Sequence, residues 1–424
     1  MKKTAILVGL VTLVTGIFAS APLFFKDHPD RIPDHYIVVL KNGIGRGAVQ
    51  AHFDAVRTNS LAAVGKDKKG FVREYHIGDY HGYHIQCDEE ALRTLREHEH
   101  VDYVYHDSTI RRQSPLPVNV GKPGPARPDT LPQSWGLGRI SHRDANVSSY
   151  GHYVVPAVPA CREPSVAYVV DSGVRITHQE FGGRASWGAN FVNDINEDLA
   201  GHGTHVAGII MGATTGVDNT ASVIAVKVLE KNNGPVSAGI AGIDWAVQHA
   251  KNASQIQRSV INLSIGMDSC IPMNHAVDAA VAEGMTVVIA AGNDGKDACG
   301  TSPASAKSAI TVGAIDRQDK RSFNFGTCLD VFAPGVDILS AFHDSDQSYA
   351  NLTGTSMASP HVAGLAAYLL AREEGLASPA DVAACIGRLA TPGRVVDPGE
   401  GSPNLIAFNG NPDGRTGWHG KLKK

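Results

Sequence analysis

Three separated segments carry the side chains with which a protein can cut an acyl bond. Asp171 lies in Val169-Val170-Asp171-Ser172-Gly173, and His202 in Gly201-His202-Gly203-Thr204-His205-Val206-Ala207-Gly208. Ser356 lies in Gly354-Thr355-Ser356-Met357-Ala358-Ser359-Pro360-His361-Val362-Ala363-Gly364. A serine hydroxyl is a weak nucleophile near neutral pH and needs a neighbouring base. An imidazole base in turn needs a carboxylate to hold its tautomer and stabilise the imidazolium. One of each is present. Taken singly, each has a plainer reading: Asp171 as a turn or helix-cap carboxylate, His202 with His205 as zinc ligands. The zinc reading lacks the H-E-x-x-H base and a nearby acidic third ligand.

These residues can meet only if the fold brings their segments to one edge. Apolar runs at Val166–Val170, Val223–Leu229, Val260–Ile265, Thr286–Ala291 and Ile310–Ile315 predict buried strands. Ser237–Ala250, Asn274–Glu283 and Ser356–Arg372 read as helices. Strands apolar on both faces and interleaved with helices imply an α/β, doubly wound, mostly parallel sheet, which places its sites at the carboxyl edge of the strands. Asp171 ends a strand there, while His202 and Ser356 start helices. The helix start at Ser356 also aims free N–H groups and the positive dipole end at any developing oxyanion. This unit spans residues 134–410.

Upstream, residues 22–112 predict a small ferredoxin-like α+β module. Its strands are Tyr36–Leu40, Phe71–Ile77, Tyr83–Cys87 and Val101–Tyr105, its helices Val49–Arg57 and Glu89–Glu97, with a Gly78-Asp79-Tyr80-His81-Gly82 turn. Residues 113–133, dense in Pro and Gly, read as an exposed, cleavable linker. Residues 411–424 read as a disordered tail. At the amino end, Lys2 and Lys3 precede an apolar run from Ala5 to Phe18 and then Ala19-Ser20-Ala21, an A-x-A cleavage pattern that marks residues 1–21 as a signal peptide. The run is shorter than the ~20 residues that span a bilayer. Secretion into the extracellular space follows, which permits disulfides.

The three motifs together resemble those of the subtilisin-like serine endopeptidases, most closely the proteinase K branch. The order Asp, His, Ser is that family's own. A lipase-type hydrolase would run Ser, acid, His and carry G-x-S-x-G, where this chain has Ala358 in place of the second Gly. The resemblance covers Tyr36 to Gly410. It implies that Asp171 orients, His202 acts as base then acid, Ser356 attacks, and Asn293, in Ala290-Ala291-Gly292-Asn293-Asp294, serves the oxyanion hole. It further implies that Leu263, Ser264, Ile265 and Gly266 on one side, and Asn233 and Gly234 on the other, hold an extended substrate as an added strand. Ala290, Ala291 and Gly292 would line a first pocket roomy enough for an apolar or aromatic side chain. Pro235 removes one backbone donor beside that cleft. The upstream module resembles the family's inhibitor-type propeptide. Cys299 and Cys328 match a disulfide of secreted relatives, Ser302-Pro303 matches a cis peptide, and Asp330 aligns with one carboxylate of a structural calcium site. No cofactor is required for the chemistry.

Composition bounds the partners. The 424 residues are 43% hydrophobic and 19% charged with a formal charge of −4, which excludes disorder or coiled coil as the main architecture. Nothing in that balance draws the chain to nucleic acid or to a membrane surface. The expected partners are unfolded or extended polypeptides and the chain's own propeptide, with a monomeric enzyme. Cys161 and Cys270 fall at opposite ends of a parallel sheet, about 20 Å apart at ~3.3 Å per residue and out of disulfide reach. They stay unassigned, with Cys87 and Cys385. Nine of the 19 histidines sit in the propeptide: His28, His35, His52, His76, His81, His84, His98, His100 and His106. Exposed polar surface is the plain explanation; joint charging near pH ~6.5 to trigger release is the sharper one. Two rival functions share the scaffold: a propeptide-bound binding protein, and a processing protease with one substrate.

Overall fold

The computed structural model describes residues 20–58, 70–112, 134–144, 153 and 163–412. The leader through residue 19, the entire 113–133 linker, Cys161 and the chain beyond 412 lie outside these.

The first module is β1 (Arg31–Leu40), α1 (Arg46–Arg57), β2 (Gly70–Ile77), β3 (Tyr80–Gln86), α2 (Glu89–Arg96) and β4 (Val101–Arg112). They form an antiparallel sheet in the order β4-β1-β3-β2. The hairpin between β2 and β3 is tighter than expected: Ile77 pairs with Tyr80, so only Gly78 and Asp79 turn, with Gly78 at φ +56°. Strand β4 runs seven residues past its predicted end at Tyr105. The α2 helix starts at Asp88, whose carboxylate accepts the Ala91 N–H at 2.9 Å. One sheet face packs on the two helices through Val38, Leu40, Phe53, Val56, Tyr83 and Leu95. Ala21, assigned to the leader by the A-x-A pattern, is buried in this core, and its N–H donates to Arg96 O at 2.7 Å.

The second unit is built on β5 (Val166–Asp171), β6 (Ala185–Asn190), α3 (His202–Met211), β7 (Ser222–Lys227), β8 (Asn233–Pro235), α4 (Val236–Asn252), β9 (Ser259–Leu263), β10 (Ile265–Asp268), α5 (Ile271–Ala282), β11 (Thr286–Ala290), β12 (Ile310–Ile315), β13 (Val331–Pro334), α6 (Thr355–Arg372) and β14 (Leu405–Ile406). The central sheet runs β14-β13-β12-β11-β9-β5-β7-β6, and all of these neighbours pair in parallel. Helices α4 and α5 cover one face; α3 and α6 cover the other. The expected single strand Val260–Ile265 is broken at Ser264, which lets β10 leave the central sheet. Asn411, placed in the tail by sequence, is buried and donates to Ser141 O at 3.0 Å, so packed chain continues past residue 410.

The two units share a core. The outer face of the first sheet, through Ile37, Val39, Tyr75, Ile77, Tyr103 and Tyr105, packs against Met273, Ala276 and Val277 of α5 and its neighbours.

Candidate active site

Asp171 and His202 meet where the local sequence forces them together. Strand β5 delivers a fully buried Asp171, and the Nδ1–H of His202 donates to its two oxygens at 2.8 and 2.9 Å. The turn after Asp171 is tied to the start of α3 by a residue the sequence reading missed. Buried Asp198 accepts from Ser172 Oγ (2.8 Å), Gly201 N (2.8 Å), Thr204 N (2.9 Å) and Thr204 Oγ1 (2.6 Å). Nothing marks Asp198 in the sequence beyond its place just before Gly201. A side chain at Gly203 would meet Gly173 O at 2.1 Å, so α3 reaches Asp171 only because this residue is glycine. His205 is not a second metal ligand: its Nε2–H faces Ile338 O and Ala350 O, each at 3.0 Å, and burial pulls its pKa down to about 3.

Ser356 sits in the first turn of α6, fully buried. Pro360 lies four residues on and has no N–H to give Ser356 O. That carbonyl instead accepts from Ser264 Oγ at 3.0 Å, while Ser356 Oγ donates to Ser264 O at 3.0 Å. Asn262 braces the exchange by donating to Ser264 Oγ and accepting from Ser359 Oγ, both at 2.9 Å. The Ser356 hydroxyl therefore points at the β9–β10 break. Nε2 of His202 is buried with no hydrogen-bond partner among the described residues. Contacts of this kind commonly tighten only when substrate arrives.

Asn293 follows β11 at the same edge. Its Oδ1 accepts both the N–H and the Oγ1–H of Thr355 at 2.9 Å, and Thr355 Oγ1 accepts from Gly292 N at 3.1 Å. One threonine, beside the serine and absent from the predicted set, thus orients the amide. Gly292 (φ +103°) has Asn324 Nδ2 packed where a side chain would stand, at 2.4 Å. Ala290 and Ala291 are buried beside it.

The cleft is filled by β4. Ile110 pairs with Gly234 and Arg111 with Asn233 on one side; on the other, Arg112 pairs with Ile265 and Arg111 with Gly266, all antiparallel. Burial lowers the pKa of the Arg112 guanidinium against the opposing pull of Asp171 and Asp198. Leu263 is elsewhere: it pairs with Ile289 within the central sheet and is buried in its core, because β9 ends before the break that frees Ser264 to Gly266. Behind the cleft, Asp107 of β4 caps α4, accepting from Ser237 N at 3.1 Å and Ser237 Oγ at 2.5 Å. Burial raises its pKa to about 6.

The remaining predicted features sit away from the chemistry. Cys299 and Cys328 are disulfide-bonded with Cα atoms 5.3 Å apart, Ser302-Pro303 is cis, and Cys87, Cys270 and Cys385 are buried. Asp330 commits Oδ2 to Thr311 N at 2.8 Å and belongs to no group of three metal-ligating side chains among the described residues. No role is derived for calcium. The propeptide histidines are not exposed surface. His52 and His106 are buried and the other seven half-buried. Burial holds the pKa of His52 and of His84 down to about 3, and lowers those of His81, His98 and His106. A joint titration near 6.5 does not fit these environments.

A profile of the subtilase family matches residues 162–418, and one for peptidase inhibitor I9 matches residues 35–113. Subtilisin-like protease 2 of Pseudogymnoascus destructans is 40% identical, over 97% of this chain and 100% of its own. The cuticle-degrading serine protease of Arthrobotrys oligospora is also 40% identical, over 89% of this chain and 91% of its own. A cold-adapted subtilisin-like serine proteinase of known structure has a TM-score of 0.59 at 37% identity, covering 66% of this chain and 99% of its own. Fervidolysin from Fervidobacterium pennivorans, at 20% identity and TM-score 0.66 over 93% of this chain and 62% of its own, shares the fold.

Proposed function

The chain belongs to the subtilase family and is a subtilisin-like serine protease with an I9 propeptide; we propose that Asp171, His202, Ser356 and Asn293 carry its reaction and that β4 is its first substrate. Ser356 Oγ swings from Ser264 O to His202 Nε2, gives up its proton there, and bonds to the scissile carbonyl carbon. The resulting oxyanion lies against the Asn293 amide and the amino end of α6. Protonated His202, steadied by ionised Asp171, hands the proton to the leaving amine as the C–N bond breaks. Water, deprotonated by His202, then hydrolyses the acyl ester and frees Ser356. Subtilases need no cofactor for this chemistry.

The observation that carries this reading is the pairing of Arg111 with both β8 and β10 and of Arg112 with β10. An inhibitor strand held there by main-chain pairing is what remains of a substrate after its own cut. Maturation then falls within the first residues after Arg112, in the 113–133 segment. Main-chain recognition favours unfolded proteins of many sequences, and the small residues Ala290, Ala291 and Gly292 leave room for an apolar or aromatic side chain before the cut. Secretion rests on the leader pattern and on the Cys299–Cys328 bridge, which persists in oxidising compartments. No helix among the described residues is long and apolar enough to cross a membrane.

The test is to purify the secreted protein, treat it with a serine-directed phosphonate, profile a peptide library and read the new amino terminus. The expected outcome is labelled Ser356, many cleaved sequences with apolar residues before the cut, and a terminus just beyond Arg112. An unlabelled Ser356 would instead mark a binding protein, and a single cleaved sequence a processing enzyme.

A further inference from the structure

The propeptide contains a polar cluster that neither proteolysis nor inhibition uses. His52 projects from α1, and His98 and His100 flank the turn between α2 and β4. Each offers a ring nitrogen within 4.8 Å of the other two. Their ring centroids lie 4.5, 5.0 and 6.1 Å apart, with the planes inclined by 56° to 74°, so the rings do not stack. His52 is only 3% exposed, and its Nδ1 has no hydrogen-bond partner among the described residues; Nδ1 of His100 is likewise buried and unpaired. Leaving such groups unpaired is costly, and their presence calls for a reason.

We propose that His52, His98 and His100 form a transition-metal site, of the Zn²⁺ class, that staples α1 to the α2–β4 turn. Three imidazoles without a carboxylate suit Zn²⁺ and its neighbours in the first transition row, and repel the oxygen-seeking Ca²⁺ and Mg²⁺. Ideal tetrahedral Zn–N bonds of ~2.0–2.1 Å need nitrogens nearer to one another than 4.8 Å. Half-buried His98 and His100 supply that adjustment by side-chain rotation. His98 gives up a weak contact to do so, since its Nδ1 now accepts the His100 N–H at 3.2 Å. His52 is already oriented: Tyr83 Oη lies 3.2 Å from its Nε2, and a proton there leaves on Nδ1, which has no partner among the described residues, a lone pair for the metal.

The other group with ligand-like spacing, His35, His84 and Asp107, is spoken for. His35 Nδ1 and His84 Nε2 bond each other at 2.9 Å, and the Asp107 carboxylate holds Ser237. The proposed site instead lies in the helical layer, on the side of the propeptide sheet away from the catalytic unit. Metal there would stabilise the inhibitor without touching the cleft.

The test uses the full chain with Ser356→Ala, so no turnover is needed and the result does not depend on the proteolytic reading. Metal-stripped protein is titrated with Co²⁺, following the visible absorption of four-coordinate cobalt, and then challenged with Zn²⁺. We expect one ion per chain at micromolar concentration or below, displacement by Zn²⁺, and a Zn²⁺-dependent rise in Tm. His98→Gln and His100→Gln alter half-buried side chains and keep the propeptide core. Each should weaken binding by at least about tenfold with an unchanged circular dichroism spectrum, as loss of a ligand requires. His76→Gln, at a separate histidine pair, should bind normally. Absence of saturable binding, or equal affinity in His98→Gln and His100→Gln, overturns the site.

Discussion

The two halves of this molecule bury themselves differently. The catalytic unit encloses its own sheet, with α3 and α6 on one face and α4 and α5 on the other, and its buried carboxylates Asp171 and Asp198 are each met by several donors. The propeptide encloses one face only. Its own core is a single small cluster around Phe53, Val56 and Leu95, and its other face, including four tyrosines, is covered by α4, α5 and neighbouring parts of the catalytic unit. Its interior also holds imidazole nitrogens, those of His52, His100 and His106, with no partner among the described residues. One half is a finished enzyme; the other is stable in proportion to what it leans on.

Four measurements would break or sharpen this contrast. The largest effect belongs to the catalytic unit's reaction: Ser356→Ala should abolish turnover while leaving the zymogen folded and uncut. The equivalent loss in subtilisin, of this family, is about 10⁶-fold, a magnitude borrowed from that enzyme and not from this geometry. Processing at a normal rate would remove Ser356 from the mechanism. Next, Asn293→Ala should lower kcat by roughly 100- to 1,000-fold, again the scale known for subtilisin, with inhibitor binding nearly intact. Thr355→Val tests the same amide through its support. It keeps the backbone bond to Asn293 Oδ1 but loses the hydroxyl one, so a fall in kcat of about tenfold with little change in KM is expected.

The third measurement addresses the seam. Asp107→Ala strips the cap from α4 at Ser237, and the processed propeptide should leave roughly tenfold faster, the scale of a lost charge-assisted hydrogen bond. Asp107→Asn, which keeps an acceptor, should recover part of this; equal release rates in all three proteins would take Asp107 out of the seam.

The smallest and most gradual effect is acid. His52 faces His98, His100 and Tyr83; His84 faces His35, Arg73 and Asp107. Both have folded pKa values of about 3 against ~6.5 unfolded. Their contribution is therefore fully present above ~6.5 and lost progressively as pH falls toward 3. Asp107, raised to about 6, has the opposite sign and regains stability as pH falls through 6, so the seam loses less than the propeptide core. His205 and His361 share the histidine sign in the catalytic unit, but carbonyl oxygens of Ile338, Ala350 and Met357 hold them within a larger core. Calorimetry of the Ser356→Ala zymogen should show the propeptide melting earlier with each step below pH 6.5 while the catalytic transition moves less. A propeptide transition independent of pH would dismiss the histidine account.

The parts legible in sequence are those written in local pattern. Apolar runs located five core strands to within one or two residues, apart from the break at Ser264 and the early end of β7 at Lys227. Motif chemistry picked out Asp171, His202 and Ser356, and the family resemblance added Asn293; the fold brings all four to the carboxyl edge of one sheet. Even the β2–β3 hairpin was foreseen, though not its two-residue turn, since Tyr80, His81 and Gly82 have the composition of a loop and were drawn into pairing by their neighbours.

By itself, then, the sequence determined which residues could do chemistry and that a parallel sheet would present them, because residue type and short-range periodicity are properties of a segment alone. Only the tertiary structure decided how they are held: Asp198 gathering the turn after Asp171 to α3, Thr355 aiming Asn293, Ser264 satisfying the carbonyl that Pro360 leaves open, β4 lying in the cleft, and His52, His98 and His100 drawn together. Each of these pairs groups that are distant in sequence or unremarkable in type. Their partnership arises from burial, where an unpaired polar atom is costly and the nearest partner is set by packing.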